Sequence, residues 1–166
     1  MEICFKPIGF VKHTYSDEEV KSYPRGVSGY IEILPEYVAG ISDLEGFSHI
    51  ILITYLHKVG EEQRRVLKVK HRRLLKMGID INDLPEVGVF STDSPHRPNT
   101  IGLSIVRVVK VEGCKIFVDG IDVFDGTPVL DIKPYDYGRL ITEIKVPRWA
   151  EEIHKRLKEK CVPEEQ

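Results

Sequence analysis

The sequence predicts a mainly β fold, namely a small antiparallel or mixed β-barrel of six to seven strands with a short helix and a C-terminal helix. Three observations favour this fold class. Short runs of alternating or β-branched apolar residues recur along the chain, turn residues separate these runs, and helical periodicity is confined to two places. Many short strands with turns between them are typical of a barrel rather than of an open parallel sheet.

Five segments predict single strands. The sequence "GYIEIL" alternates between two faces, and "HIILITYL" is a β-branched run that is typical of a fully buried strand. Shorter strands are predicted in "KPIGFVK", "VGVFS" and "PVLDI".

A longer segment, "IGLSIVRVVKVEGCKIFVDGIDVF", predicts a strand pair. Glu112-Gly113 and Asp119-Gly120 interrupt its apolar runs, which indicates a hairpin followed by a further turn. The alternation changes phase at Val108-Val109, where we expect a β-bulge.

Helical signals occur in two places. In "EEQRRVLKVKHRRLLKMG", residues 67–70 alternate as a strand does, and the residues from Arg72 to Met77 predict a short helix that Gly78 ends. After Pro147, an apolar stripe recurs every four residues and predicts a helix that packs against the barrel or a second subunit. The stripe consists of Trp149, Ile153, Leu157 and Cys161.

The length and composition indicate one globular domain. The chain has 166 residues, of which 42% are hydrophobic and 30% are charged. We expect the barrel in residues 1–145 and, in the same domain, the C-terminal helix and tail in residues 146–166, with a disordered "VPEEQ" end. Because the sequence has neither a signal-peptide pattern nor a long apolar run, we expect a cytoplasmic protein without a membrane segment.

Several classes of chemistry lack their sequence patterns. No two of the thirteen glycines are two residues apart, which excludes the Rossmann fingerprint, and no P-loop or Gly-x-Ser-x-Gly elbow is present. The six histidines have no close metal-ligand spacing, and the three cysteines include no Cys-x-x-Cys pair. We therefore expect no metal site and reduced cysteines.

A cationic segment stands out against the formal net charge of -2. The chain from Arg64 to Lys76 contains no Asp or Glu. Such a cluster either follows a phosphate backbone or is an ordinary solvated face. Its cations are Arg64, Arg65, Lys68, Lys70, Arg72, Arg73 and Lys76.

Two polar segments are the strongest site candidates. In "STDSPHRPNTIG", Pro95 and Pro98 fix the backbone, so the polar side chains between them are presented from a stiff loop. In "DVFDGTPVLDIKPY", the residues 125–128 form a turn by composition. Preorganised loops bind with a smaller entropy cost, which favours a binding role over a plain connection for the first segment.

These segments, "GVFSTDSPHRPNTIGLS", "DVFDGTPVLDIKPY" and, upstream, "DLEGFSHIILI", closely resemble the TsaA-like family. The family consists of small β-barrel methyltransferases that act on threonylcarbamoyladenosine in tRNA. The match runs in the family's order from "PIGFVKHTYSD" to "KPYDYG". The resemblance implies a homodimer that binds S-adenosylmethionine in a crevice near the dimer interface and methylates the exocyclic nitrogen of the modified adenosine beside the anticodon.

The resemblance also implies which residues bind the cofactor. Those of the central motif are Phe90, Arg97, Pro98, Asn99, Ile101, Gly102 and Leu103. The facing turn consists of Asp125, Gly126, Thr127 and Pro128. His57 and Lys58 stand where the family usually has His-Gln near the cofactor.

Two positions depart from the family's usual pattern. Asp93 stands where an arginine is usual, and Thr100 stands where a proline is common. The charge reversal at Asp93 leaves two other functions open. One is an S-adenosylmethionine-dependent enzyme that acts on another RNA or a small molecule, and the other is a non-catalytic RNA-binding barrel.

The implied reaction needs positioning more than a strong base. The acceptor nitrogen is urea-like and poorly nucleophilic, so a group that takes its proton would help. Asp125, Asp93 and His57 are the candidates, and Asp125 could instead face the sulfonium. Arg97 is expected to be a hydrogen-bonding scaffold or a carboxylate partner, and the cationic segment is expected to contact the anticodon stem.

Overall fold

A computed structural model describes residues 2–70 and 72–161. Its strands are β1 (Gly9–Lys12), β2 (Val27–Ile33), β3 (His49–Tyr55), β4 (Lys68–Val69), β5 (Val87–Gly88), β6 (Ile101–Glu112), β7 (Lys115–Ile121) and β8 (Pro128–Pro134). The α-helices are α1 (Asp17–Ser22), α2 (Glu61–Arg64) and α3 (Arg148–Cys161). Short 3-10 helices cover Pro35–Ile41, Arg72–Met77, Ile81–Asp83, Val89–Ser91 and Tyr137–Arg139.

Six of the strands close into a barrel in the order β1-β2-β7-β6-β3-β8, and β4 pairs with β5 in a separate two-stranded sheet. Every pairing is antiparallel, and the pairing of Gly9 with Val129 joins β1 to β8. The predicted mainly β barrel of six to seven strands is therefore confirmed.

The barrel interior is filled by β-branched and leucine side chains from alternate strand positions. Full burial of one such side chain contributes about 1.5–3 kcal/mol. These residues include Val11, Ile31, Ile33, Ile50, Leu52, Val106, Ile116, Val118, Ile121 and Val129. The alternation that predicts strands in the sequence is thus the alternation between this core and the outer surface.

The hairpin between β6 and β7 turns where the sequence predicts it. Gly113 adopts a φ of 57°, which suits glycine in a tight turn. The predicted bulge is also confirmed, because the register between β6 and β7 shifts between Val108 and Lys110.

The further turn predicted at Asp119-Gly120 is wrong, because β7 continues to Ile121. Ile121 pairs with Val27 and Asp119 pairs with Ser28, so Gly120 is an extra, unpaired residue. Its φ of 93° marks a glycine in a β-bulge, which the sequence alone does not distinguish from a turn.

The segment "VGVFS" is a strand only at Val87 and Gly88, and a 3-10 turn follows. The Val89 carbonyl accepts a hydrogen bond from the Thr92 backbone N–H at 3.2 Å, which turns the chain away from a strand. The strand and short helix predicted in "EEQRRVLKVKHRRLLKMG" are confirmed as β4 and Arg72–Met77, and Gly78 follows with a φ of 78°.

Helix α3 begins after Pro147 as predicted, but its packing partner differs from the prediction. Ile153 and Leu157 pack against a buried cluster of Leu74, Ile79 and Leu84. This cluster lies in the segment between β3 and β6 and is separate from the barrel core, so the prediction that Ile153 and Leu157 pack against the barrel is wrong. Packing of α3 against a second subunit stays a prediction. The physical reason is that Leu74, Ile79 and Leu84 form an apolar cluster apart from the barrel core, and the apolar side chains of α3 cover it.

The Cys161 side chain and the predicted disordered tail, residues 162–166, lie outside the described part of the chain. Within residues 2–70 and 72–161, no helix is long and apolar enough to cross a membrane.

Candidate functional site

The predicted cofactor segments meet at one end of the barrel, here called the barrel mouth. Thr54, near the end of β3, pairs with both Gly102 of β6 and Val129 of β8. The Leu56 backbone N–H donates to the Thr100 carbonyl at 2.7 Å. Antiparallel closure therefore brings residues 57–58, 99–103 and 125–128 to the same edge, although they are far apart in sequence.

The interior at the barrel mouth is polar. Thr54, Thr100, Ser104 and Thr127 are buried, in contrast to the aliphatic core below them. The Thr127 hydroxyl donates to the Phe124 carbonyl at 2.7 Å, and the Ser104 hydroxyl donates to Asp122.

Two of these hydroxyls have no hydrogen-bond partner among the described residues, those of Thr54 and Thr100. An unsatisfied buried polar group costs about 1–3 kcal/mol. Thr100 lies within the central motif and Thr54 pairs with Gly102 of that motif, so both groups lie beside the residues predicted to bind a ligand.

Gly102 has a packing role at the mouth. A Cβ atom at this position would lie 2.5 Å from the Thr54 Oγ1 and 2.9 Å from the Leu56 Cδ2. Its neighbours Ile101 and Leu103 point outward and are exposed. The central motif therefore divides between the two faces of β6, which the resemblance alone does not indicate.

The facing turn is joined to β1. The Asp125 carboxylate accepts a hydrogen bond from the His13 backbone N–H at 2.9 Å, and the Gly126 N–H donates to the Val11 carbonyl at 2.8 Å. Gly126 has a φ of 75°, a conformation that favours glycine. The Asp125 side chain is exposed, with its carboxylate anchored on one side.

Arg97 holds its own loop together. Its Nε donates to the Ser94 carbonyl at 2.8 Å, and its Nη2 donates to the carbonyls of Val89, at 3.1 Å, and Thr92. Among the described residues, Arg97 therefore acts as a hydrogen-bonding scaffold, which is one of the two roles expected for it. Pro98 and Asn99 are exposed beside it.

Phe90 and Asp93 project from the same loop. Phe90 is 79% exposed. Asp93 is exposed as well, and no hydrogen bond or ion pair joins its side chain to another described residue. Neither side chain is fixed by the fold, so both are available to a ligand or a partner.

Lys58, which follows β3, contacts α1 and the connection between β7 and β8 at the mouth. Its Nζ lies 2.7 Å from both carboxylate oxygens of Asp17, in α1. The same atom lies 4.8 Å from the centre of the Phe124 ring, and Lys21 Nζ lies 5.6 Å from that centre. Sequence reasoning missed Asp17, Lys21 and Phe124.

A signal for α1 was nevertheless available in the sequence. Ser16 and Glu19 form a capping box, in which the Ser16 hydroxyl accepts from the Glu19 N–H and the Glu19 carboxylate accepts from the Ser16 N–H. The sequence "SDEE" predicts such a cap, and α1 carries Asp17 to the mouth.

The surroundings of His57 change its pKa. Although its side chain is exposed by surface area, partial desolvation lowers its pKa, and the adjacent Lys58 ammonium lowers it further. The Asp17 carboxylate acts in the opposite direction and is outweighed. A lowered pKa favours the uncharged imidazole, which is the form that is able to accept a proton.

The chain also matches a family model, described as the tRNA-methyltransferase O N-terminal domain, over residues 19–138. It belongs to this family.

Other proteins support this assignment to the tRNA-methyltransferase O family. The chain is 37% identical over 139 residues to a probable S-adenosyl-L-methionine-binding protein of Pyrococcus abyssi, a match that covers 80% of this chain and 68% of the relative. It is 38% identical over 140 residues to the tRNA (adenine(37)-N6)-methyltransferase of Homo sapiens, covering 78% of this chain and 29% of the relative. This chain thus spans less than a third of the human protein.

The fold is similar to that in the crystal structure of TrmO from Pseudomonas aeruginosa, with a TM-score of 0.64 and 29% sequence identity. The match covers 87% of this chain and 62% of the crystallised one. The barrel is therefore the fold of the tRNA-methyltransferase O family.

The cationic segment of this family member is partly neutralised. Arg64 pairs with Glu61 at 3.1 Å and donates to the Tyr55 hydroxyl, and Arg65 lies 3.8 Å from Glu62. Both glutamates precede the segment, so counting charges from Arg64 onward overstates its positive charge.

The other cations of the segment differ in their surroundings. Lys70 donates to the Ile81 carbonyl at 3.2 Å, whereas Lys68 and Arg72 are exposed. The side chains of Arg73 and Lys76 lie outside the described part of the structure.

Across the described residues, no group of three or more His, Cys, Asp or Glu side chains is arranged to hold a metal ion.

Proposed function

We propose that this protein is an S-adenosylmethionine-dependent methyltransferase that acts on the exocyclic nitrogen of threonylcarbamoyladenosine beside the anticodon of tRNA. The observation that carries the proposal is the family match over residues 19–138. The names of the human and Pyrococcus relatives support the tRNA substrate and the cofactor, respectively. A tRNA substrate would place the protein in the cytoplasm.

The residues at the barrel mouth fit the cofactor. The unpartnered hydroxyls of Thr54 and Thr100 are able to donate to a polar ligand, and the Asp125 carboxylate is available to a positive charge. Arg97 contributes indirectly, because its bonds to three loop carbonyls fix the backbone that presents Asn99. When bound, the cofactor supplies an electrophilic methyl group on a sulfonium.

His57 is the preferred proton acceptor among the three candidates. Its lowered pKa favours the unprotonated imidazole, which is the form that accepts a proton. Asp125 already accepts a hydrogen bond from the His13 N–H, and Asp93 is exposed without a partner among the described residues. In this proposal positioning supplies most of the acceleration.

The proposed activity is tested by incubating the protein with methyl-labelled S-adenosylmethionine and tRNA that either carries or lacks the threonylcarbamoyl group. Nucleoside analysis should find the label only in the modified adenosine. Label in both tRNAs, or in another nucleoside, would favour an enzyme that acts on a different RNA site. Salt-dependent tRNA binding without cofactor binding would favour the non-catalytic barrel.

The tRNA would be held in part by the exposed cations of the segment. Lys68 and Arg72 have exposed side chains, whereas Arg64, Arg65 and Lys70 have partners within the chain. Each phosphate contact that is lost weakens binding and reduces its salt dependence.

Charge reversal tests this placement. Arg72→Glu should therefore weaken tRNA binding and leave cofactor affinity unchanged. The matched control is Lys115→Glu at the far end of the barrel, and an equal loss in both variants would contradict the placement.

The proposed homodimer rests on the outer face of β6. Ile101, Leu103 and Ile105 are 41%, 62% and 49% exposed and alternate along this face. Contiguous exposed apolar residues mark interaction surfaces. A second copy bound to this face would lie on the outer side of β6, opposite the inner side on which Gly102 lines the mouth.

Substitution of one residue on this face tests the dimer. Leu103→Asp should shift the protein to monomer in sedimentation velocity, and Val109→Asp, on the same strand but farther from the mouth, serves as the control. A wild-type monomer at high concentration would refute the dimer.

A further inference from the structure

A seat for a positive charge exists at the barrel mouth, formed by the face of the Phe124 ring and the carboxylate of Asp17. The Lys58 ammonium occupies it, 4.8 Å from the ring centre and 2.7 Å from each carboxylate oxygen. An aromatic face attracts cations through its quadrupole, and a carboxylate strengthens the attraction. We call the ring and the carboxylate together the cation seat.

The cation seat lies among the residues predicted to bind the cofactor. Phe124 directly precedes the facing turn, and Lys58 directly follows His57 in the segment after β3. Neither Phe124 nor Asp17 belongs to the pocket that the family resemblance implies. The seat is partly open, because the Lys58 side chain is 43% exposed and its flexible stem is able to turn into solvent.

A methyl-donating sulfonium is itself a cation and needs such surroundings. We propose that the cation seat is where the cofactor's sulfonium binds, and that Lys58 is a placeholder which the sulfonium displaces. This inference rests on the proposed function. Because one cation replaces another, the ring and the carboxylate keep a positive partner in both states, and no buried charge is left unpaired.

As a placeholder, Lys58 affects cofactor binding in the opposite direction from a residue that binds the cofactor. A residue that binds the cofactor weakens binding when it is removed. A placeholder competes with the ligand, so its removal strengthens binding of the cationic ligand. The sign of the change therefore distinguishes the two roles.

The experiment compares two ligands by isothermal titration calorimetry. S-adenosylmethionine and S-adenosylhomocysteine share the adenosine, the amino group and the carboxylate, and they differ in the methyl group and the positive charge on sulfur. The ratio of their affinities isolates the contribution of the sulfonium. Lys58→Gln should raise the affinity for S-adenosylmethionine relative to S-adenosylhomocysteine by roughly 2- to 30-fold.

Two substitutions of Phe124 test the aromatic half of the seat. Phe124→Leu should reduce the same ratio by roughly 2- to 30-fold. Phe124→Tyr, which retains an aromatic face, should preserve it. Thermal unfolding of both variants checks that the turn is folded, and the tyrosine variant keeps the test informative if leucine perturbs the turn.

The chain supplies a matched control far from the mouth. Lys110 Nζ lies 4.6 Å from the centre of the Phe117 ring and 2.7 Å from Glu112, an arrangement like that of Lys58. Lys110 is nine residues along β6 from Ile101, or about 30 Å away. Lys110→Gln and Phe117→Leu should leave the ratio unchanged.

Three results would overturn the inference: a weaker affinity for S-adenosylmethionine in Lys58→Gln, an unchanged ratio in Phe124→Leu, or an equal change in the control variants. Each of these leaves the proposed function standing, since the wild-type protein still binds the cofactor. If the wild-type protein binds neither ligand, the proposed function fails, and the placeholder role fails with it.

Discussion

Replacing Gly102 by alanine tests whether the close approach of β6 to β3 at the barrel mouth is a condition of the fold. The new Cβ would lie 2.5 Å from the Thr54 Oγ1 and 2.9 Å from the Leu56 Cδ2. Thr54 is fully buried in the sheet and has little room to move. Overpacking of this kind costs about 1–3 kcal/mol.

The free energy of unfolding, measured by urea denaturation, should fall by that amount. For a protein of 166 residues the melting temperature should fall by about 2–12 °C. Gly40→Ala is the matched control, because a Cβ at Gly40 would have no neighbour within 4 Å.

A double-mutant cycle identifies the cause of the loss. In a Thr54→Ala background the Oγ1 atom is absent, so Gly102→Ala should cost less there by about 0.5–3 kcal/mol. The reasoning is refuted if Gly102→Ala is as stable as the wild type, or if its cost is the same in both backgrounds.

Three further outcomes follow from the contacts of single residues. Arg97→Ala should lower cofactor affinity and speed amide hydrogen exchange in residues 89–97, because the loop carbonyls lose their shared donor. Arg97→Lys should restore neither the affinity nor the slow exchange. Wild-type protection from exchange in Arg97→Ala would contradict the scaffold role. Because the pKa of His57 is lowered in the folded protein, the unfolded chain takes up a proton first as the pH falls. The free energy of unfolding should therefore decline from about pH 6.5 through the lower folded pKa. Urea titrations should show that His57→Gln removes this decline. Thr100→Val deletes an unpartnered buried hydroxyl, so the free energy of unfolding should stay equal or increase. Calorimetry should show weaker cofactor binding by the same variant. A clear loss of stability would show that the hydroxyl has a partner within the fold.

Features that depend on neighbouring residues were predictable from the sequence. The alternation in "GYIEIL" and the β-branched run in "HIILITYL" correspond to β2 and β3, because a strand that is buried on one face needs a period of two. Glycine signals were less decisive. Gly113 forms the predicted turn but Gly120 forms a bulge, and the two differ only in how the partner strand is aligned.

The sequence indicates which segments belong to the candidate site and not how their side chains are oriented. Residues 99–103 and the turn at Asp125 lie at the same edge of the barrel, and their binding of a cofactor stays a prediction. The resemblance does not indicate that Ile101 and Leu103 face outward while Gly102 faces Thr54, because that depends on the strand register. It also does not indicate that Glu61 and Glu62 offset part of the cationic segment.

The sequence by itself determined the strands, the hairpin, the C-terminal helix and the family, because these depend on local periodicity, turn residues and short motifs. Only the tertiary structure decided which side chains share the mouth. His13 and Asp125 are 112 residues apart, and Lys58 and Asp17 are 41 apart. Their contacts exist because antiparallel closure places the ends of β1 and β3 and the turn before β8 at one edge of the barrel.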